Sequence, residues 1–260
     1  MSLSRMSVVA LSVVAAMCMA CAANAAVAPP STDGWTLTPV VDGNNVSLQL
    51  GIDNAAALAG YQGMLTRTWG DPTLSDSSKY ITLGDSGAVL RYFKMGFDGD
   101  PVVTLEFDYQ AGPAGSTFLV SSALLPFAAI TNPIGTATAA VTVTDTDGNG
   151  ATATGLYQNG AFYNARYNTA TSGQDFAFLV GGPITAQPYL SNTLSQTTSP
   201  LWQPISGPVS DMQTFFSFSL TANDSASGTS SFTVVPEPGS MVAMLTGLIG
   251  LAGIIQRRRR

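Results

Sequence analysis

From Val103 to Tyr109, apolar side chains take every second position, with Thr104, Glu106 and Asp108 between them and Gln110 after. A strand turns successive side chains to opposite faces, so this pattern builds a ribbon with one dry face and one wet face. The same period recurs in Phe216, Phe218 and Leu220, set against Ser217, Ser219 and Thr221, and in Val141 and Val143, set against Thr142 and Thr144. Residues 35–41, 46–52, 88–95, 176–180 and 230–235 also read as strands, and only 53–64 hints at a short helix. Asp42-Gly43, Asp98-Gly99, Asn132-Pro133 and Asn159-Gly160 are turn residues placed between these runs. Roughly ten short strands with short turns predict an all-β body over 26–235, an antiparallel β-sandwich of jelly-roll-like type. Pro183, Pro188, Pro200, Pro204 and Pro208 argue against regular strands over 181–211, which reads as a long surface excursion or a boundary before a last hairpin.

What the chain lacks excludes much chemistry. It has no histidine, and its two cysteines, Cys18 and Cys21, both lie in an apolar N-terminal stretch. Zinc sites of the Cys/His kind, cysteine nucleophiles and His-based triads are therefore not expected in the body. Residues 26–235 hold 15 acids against five basic residues, a net charge of −10. Such a body repels phosphate backbones, so nucleic acid is not an expected partner.

The two ends differ from the middle. Arg5, an apolar run over 8–20 and Ala23-Asn24-Ala25 give the three parts of a secretory signal peptide. Signal peptidase is expected to recognise Ala23 and Ala25 and cut after Ala25, which makes 1–25 the leader. A lipoprotein signal using Cys21 is the rival reading, although Cys18 stands where leucine is usual. At the other end, 239–255 is an uncharged run whose helix would measure roughly 25 Å, a single transmembrane helix slightly short of the ~30 Å hydrocarbon core. Arg257, Arg258, Arg259 and Arg260 follow and would hold the C-terminus in the cytoplasm, leaving the body outside.

Pro236-Glu237-Pro238, the short apolar helix and the terminal arginines, in that order, resemble the PEP-CTERM sorting signal. The resemblance covers 236–260, about a tenth of the chain. It implies that an exosortase-type enzyme recognises Pro236, Glu237 and Pro238, that the helix anchors the protein transiently in the inner membrane, and that the arginines retain it there. It also implies delivery to the cell surface or beyond, with exopolysaccharide or biofilm matrix as the associated partner. An ordinary single-span anchor is the alternative, with the prolines acting as a stiff linker.

Candidate chemistry in the body is sparse. Asp145, Asp147 and Asn149 alternate before Gly150, like the first half of a calcium loop, but Leu156 stands where the bidentate acid belongs. A hairpin turn explains the same residues, so no cofactor is required and calcium is only a candidate. Glu106 and Asp108 project from one face of a strand, where a solvated surface explains them better than a hydrolytic pair. Trp202 and Tyr189 are candidates for stacking on sugar rings if exposed, or for packing if not. The sequence thus predicts a non-enzymatic exported surface or matrix protein. A secreted carbohydrate-binding module, with or without calcium, is the alternative, and a glycoside hydrolase is a more distant one.

Overall fold

The structure is a computed structural model. It describes residues 80–83, 85–98, 101–237 and 239, together with the backbone of strand residues 35–37, 40–41, 44–45, 48–50 and 65–70. The expected signal peptide, the 53–64 helix, the membrane helix, Pro238 and the four terminal arginines lie outside the described residues. Among the described residues, no helix is long and apolar enough to cross a membrane.

Five short strands come first: β1 (Trp35–Leu37), β2 (Val40–Val41), β3 (Asn44–Asn45), β4 (Leu48–Leu50) and β5 (Leu65–Gly70). Then follow β6 (Ile81–Leu83), β7 (Ala88–Asp98), β8 (Val102–Gln110), β9 (Ser116–Ser121), β10 (Leu125–Ile130), β11 (Pro133–Thr144) and β12 (Ala151–Gly155). The chain continues through β13 (Ala161–Tyr167), β14 (Gln174–Gly181), β15 (Ile184–Ala186), β16 (Ser191–Thr197) and β17 (Gln203–Pro204). It closes with β18 (Val209–Leu220) and β19 (Ser225–Pro236).

Two antiparallel sheets face one another. One runs β16-β11-β19-β8-β7-β5, with β17 also on β11 and β6 also on β7. The other runs β14-β13-β18-β9-β2-β3, with β10 and β12 on β18 and β15 on β12. The pair β1–β4 stands apart. The chain changes sheet between β8 and β9, β10 and β11, β11 and β12, β15 and β16, β17 and β18, and β18 and β19. This repeated crossing makes a sandwich rather than two meanders.

The alternating residues fill the space between the sheets. Val103, Leu105, Phe107 and Tyr109 are all buried, while Thr104, Glu106 and Asp108 are half-buried on the outer face. Phe107 is the hub: its ring centroid lies 4.9 Å from Phe216 and 5.7 Å from Phe218 on the opposite sheet. Tyr109 meets Phe118 across the core at 5.0 Å, and Phe176 meets Phe232 at the same distance. Ring pairs at these separations add about 0.5–1.5 kcal/mol each beyond the area they bury. Gly228 on β19 pairs in register with Phe107, and a Cβ there would collide with the Phe107 ring. The glycine thus makes room for the Phe107 ring.

Two expectations need correction. Residues 35–41 are not one strand, because β1 and β2 belong to different sheets. The Pro-rich stretch does contain regular strands, β15 to β17. Its prolines fall at strand boundaries: Pro183 precedes β15, Pro200 lies between β16 and β17, Pro204 ends β17 and Pro208 precedes β18. A missing N–H costs nothing where the ladder has already stopped, so the count of prolines misled and their spacing was the signal.

Candidate functional site

The loop 145–150 leaves β11 in one sheet and enters β12 in the other, so it is not a hairpin turn. It folds around its first residue. Asp145 is buried, and its Oδ2 accepts hydrogen bonds from the N–H of Gly148 at 2.9 Å and of Tyr189 at 2.6 Å. Its Oδ1 accepts from the Gly150 N–H at 2.8 Å. Gly148 and Gly150 have φ of 88° and 90°, a conformation that glycine adopts at no steric cost, and this turns their amides onto the carboxylate. Burial alone would push the Asp145 carboxyl up. The amides of Tyr189, Gly150, Gly148 and Asn149 outweigh it and hold the group below the usual carboxylate range.

A third carboxylate arrives from far along the chain. Asp224, fully buried, sits at the turn between β18 and β19. It accepts the Thr221 hydroxyl at 2.5 Å and the Thr146 N–H at 3.3 Å. Burial pushes its carboxyl up and the two hydrogen bonds pull it back, while the negative charges of Asp145 and Asp147 push it further up. One carboxylate oxygen each from Asp145, Asp147 and Asp224 lie within 4.8 Å of one another. Hard cations such as calcium take oxygen ligands of this kind, and these three acids are the groups that could hold one. Asn149, the third ligand expected from spacing, instead donates its side-chain amide to Asp147 Oδ2 at 2.9 Å. Leu156, at the twelfth loop position, is exposed, and the third carboxylate of the cluster comes from Asp224. Sequence reading missed Asp224 because it is far from the loop in sequence and is brought to it by the pairing of β11 with β19, in which Thr144 meets Ser225.

Tyr189 lies over this loop. Its backbone is left-handed at φ 60°, unusual for a bulky residue, and is tied down by its N–H bond to Asp145. Its ring packs so closely on Gly148 that a Cβ there would overlap it, and its hydroxyl reaches the Asp147 carbonyl at 3.4 Å. The residue is nevertheless 72% exposed. Trp202 is 41% exposed, in the turn that precedes β17. The two aromatics lie beyond opposite ends of β16, so one chain does not bring them together.

Glu106 and Asp108 sit on a sheet face with their charges answered. Lys94 Nζ lies 3.0 Å from Glu106, and Arg91 lies 3.9 Å from Asp108. Burial pushes the Asp108 carboxyl up, with Arg91 pulling it back.

The sorting element begins where the sandwich ends. β19 closes at Pro236, paired with Pro133, and the Glu237 N–H donates to the Asn132 carbonyl at 2.9 Å. Both residues are exposed.

Residues 234–260 match the PEP-CTERM protein-sorting motif. The match starts two residues earlier than the Pro-Glu-Pro run, inside β19. No curated protein matches the chain. Among solved structures, it is similar to TmCBM61 in complex with beta-1,4-galactotriose, at a TM-score of 0.26 and 9% identity, covering 72% of this chain and 97% of that one. It is also similar to a chain of the Cowpea Mosaic Virus empty virus-like particle, at a TM-score of 0.23 and 8% identity, covering 81% and 88%. Likeness at this level carries no argument about function.

Proposed function

Since residues 234–260 are a PEP-CTERM sorting motif, we propose that this is an exosortase-sorted, non-enzymatic protein of the cell surface or extracellular matrix, and that its sandwich holds exopolysaccharide at the acidic end. The motif implies export and a membrane-anchored sorting step. The observation that carries the carbohydrate reading is Tyr189: an aromatic residue 72% exposed, yet fixed in place by Asp145 and Gly148. Sugar rings present C–H faces that stack on such a surface, and a ring already immobilised loses little entropy on binding. The carboxylates beside it can accept sugar hydroxyls, either directly or around a calcium ion.

The non-enzymatic part of the reading is supported by how the acids are engaged. Glu106 and Asp108 are ion-paired on a sheet face, and Asp145 accepts three backbone amides. Neither arrangement leaves a carboxylate pair free across a cleft.

The test is co-sedimentation of the purified protein with exopolysaccharide from the source organism, with calcium and with a chelator. Wild type and Tyr189→Phe should bind saturably, and Tyr189→Ala should lose at least tenfold in affinity. Equal binding by Tyr189→Ala would overturn the site, and release of reducing sugar over time would overturn the non-enzymatic reading. Loss of binding on chelation would assign the three aspartates to a cation.

A further inference from the structure

The strand β16 is an edge left open. It carries Ser191, Asn192, Thr193, Leu194, Ser195, Gln196 and Thr197, every one exposed, and among the described residues its only strand partner is β11. Edge strands offer unpaired backbone groups, and proteins ordinarily blunt them with charge, proline or a bulge. The other sizeable edges follow that rule in composition: β14 carries Asp175, ion-paired with Arg166, and β5 carries Arg67. β16 has no charge, no proline and no register break along its pairing from Thr138↔Thr197 to Thr144↔Ser191.

We propose that β16 pairs antiparallel with β16 of a second copy of this chain, about a twofold axis at Leu194, setting Tyr189 of each protomer against Trp202 of the other. Leu194 lies opposite Val141 on β11, which gives a ruler along the edge. Toward one end, Asp145 bonds Leu190 and Tyr189 reaches Asp147, so Tyr189 stands about five registers above the centre. Toward the other, Gln203 lies opposite Gly135, so Trp202 stands about five registers below it. The offsets are equal and opposite, and a twofold axis at Leu194 superposes the two positions. Leu190 and Leu201, also exposed, add apolar surface toward the two ends of the edge.

The remaining chemistry agrees with that axis. Antiparallel pairing about Leu194 keeps side-chain faces matched, setting Thr193 beside the partner's Ser195 and Ser191 beside the partner's Thr197. Hydroxyl pairs of this kind favour sheet pairing, and within the chain Thr142 and Thr193 already make one at 2.8 Å. The two acidic loops end up at opposite ends of the joint, roughly 27 Å apart along the strands and beyond the ~8 Å screening length of physiological salt. The strongly acidic body therefore meets its copy along an uncharged line. The inference goes beyond the carbohydrate reading and rests on it only in that the Tyr189–Trp202 pair would then form a two-ring platform.

Sedimentation of the full chain in detergent micelles tests the pairing without any sugar present. Wild type and a control substitution away from the edge, Thr154→Lys, should sediment as dimers, and Ser195→Lys should sediment as a monomer with an unchanged near-UV circular dichroism spectrum. If Ser195→Lys does not fold, Thr193→Glu replaces it. Trp202 emission should shift to the red on dilution, and Trp202→Phe should abolish the shift. A wild type that stays monomeric at concentrations on the order of 100 µM, or an edge variant that folds and stays dimeric, overturns the proposal. Dimers that ignore polysaccharide would overturn the carbohydrate reading alone.

Discussion

Phe107 and Asp224 are both sealed from water, one among aromatic rings and the other among hydroxyls and amides. The middle of the sandwich is dry and tolerates polar groups poorly. The Tyr109 hydroxyl is buried there without a hydrogen-bond partner. At the acidic end Asp145 and Asp224 are just as closed, yet each is met by donors from two or more directions. Burial alone therefore does not distinguish framework from site here. What distinguishes them is whether the buried groups attract one another without a ligand. The rings do, whereas three carboxylates within 4.8 Å repel.

The largest effect should come from the middle. Phe107→Ala removes the hub between the sheets and is expected to cost about 3–5 kcal/mol in urea unfolding, as other large core truncations do. Gly228→Ala adds one methyl against the same ring and should cost about 1–3 kcal/mol by overpacking. A normal urea midpoint for Gly228→Ala would mean that Phe107 can move aside, and the contrast between a rigid middle and a hydrogen-bonded end would fail.

An alkaline titration sharpens the same contrast. Burial pushes the phenols of Tyr109 and Tyr163 far up. Unfolded tyrosine ionises near pH 10, so above that pH the unfolded chain sheds protons that the folded chain keeps. The stability these groups contribute is complete below about pH 10 and falls as pH rises, by about 1.4 kcal/mol per pH unit for each group. Tyr109→Phe should unfold at a higher pH than wild type. It should also gain about 1 kcal/mol at neutral pH, because a buried hydroxyl with no partner is lost.

Legibility in the sequence follows the same divide. The strands β8, β11 and β18 could be read because each alternates faithfully, and alternation is a local property. The short strands around the prolines could not, because their pairing depends on which neighbour they lie against. Asp145 and Asp147 stood out through turn spacing, and Tyr189 and Trp202 as rare aromatics in a proline-rich stretch. Asp224 gave no local sign. Neither did the clamping of Tyr189 onto Gly148 or the open edge of β16, since each depends on partners distant in sequence. The address at the C-terminus was the easiest to read, because a sorting enzyme must itself recognise a short linear pattern.

The smallest effects, and the most discriminating, lie within the acidic end. Asp145 is held below the usual carboxylate range, so its contribution to stability is present above about pH 4 and lost as pH falls through its lower folded value. Asp224 is pushed up, so its contribution is complete below the unfolded value and lost as pH rises through the folded one. Asp145→Asn should therefore be harmful at pH 7 and progressively less so toward pH 3. Asp224→Asn should compare best with wild type at pH 7 and lose that advantage on acidification. Thermal melts of both variants across this range would show slopes of opposite sign. Saturating calcium, if it binds, should erase the advantage of Asp224→Asn at pH 7, since a cation would offset the repulsion that the substitution relieves. Parallel slopes would mean that burial does not hold the Asp224 carboxyl up, and the acidic end would then be a tightly hydrogen-bonded loop, framework like the rest of the sandwich.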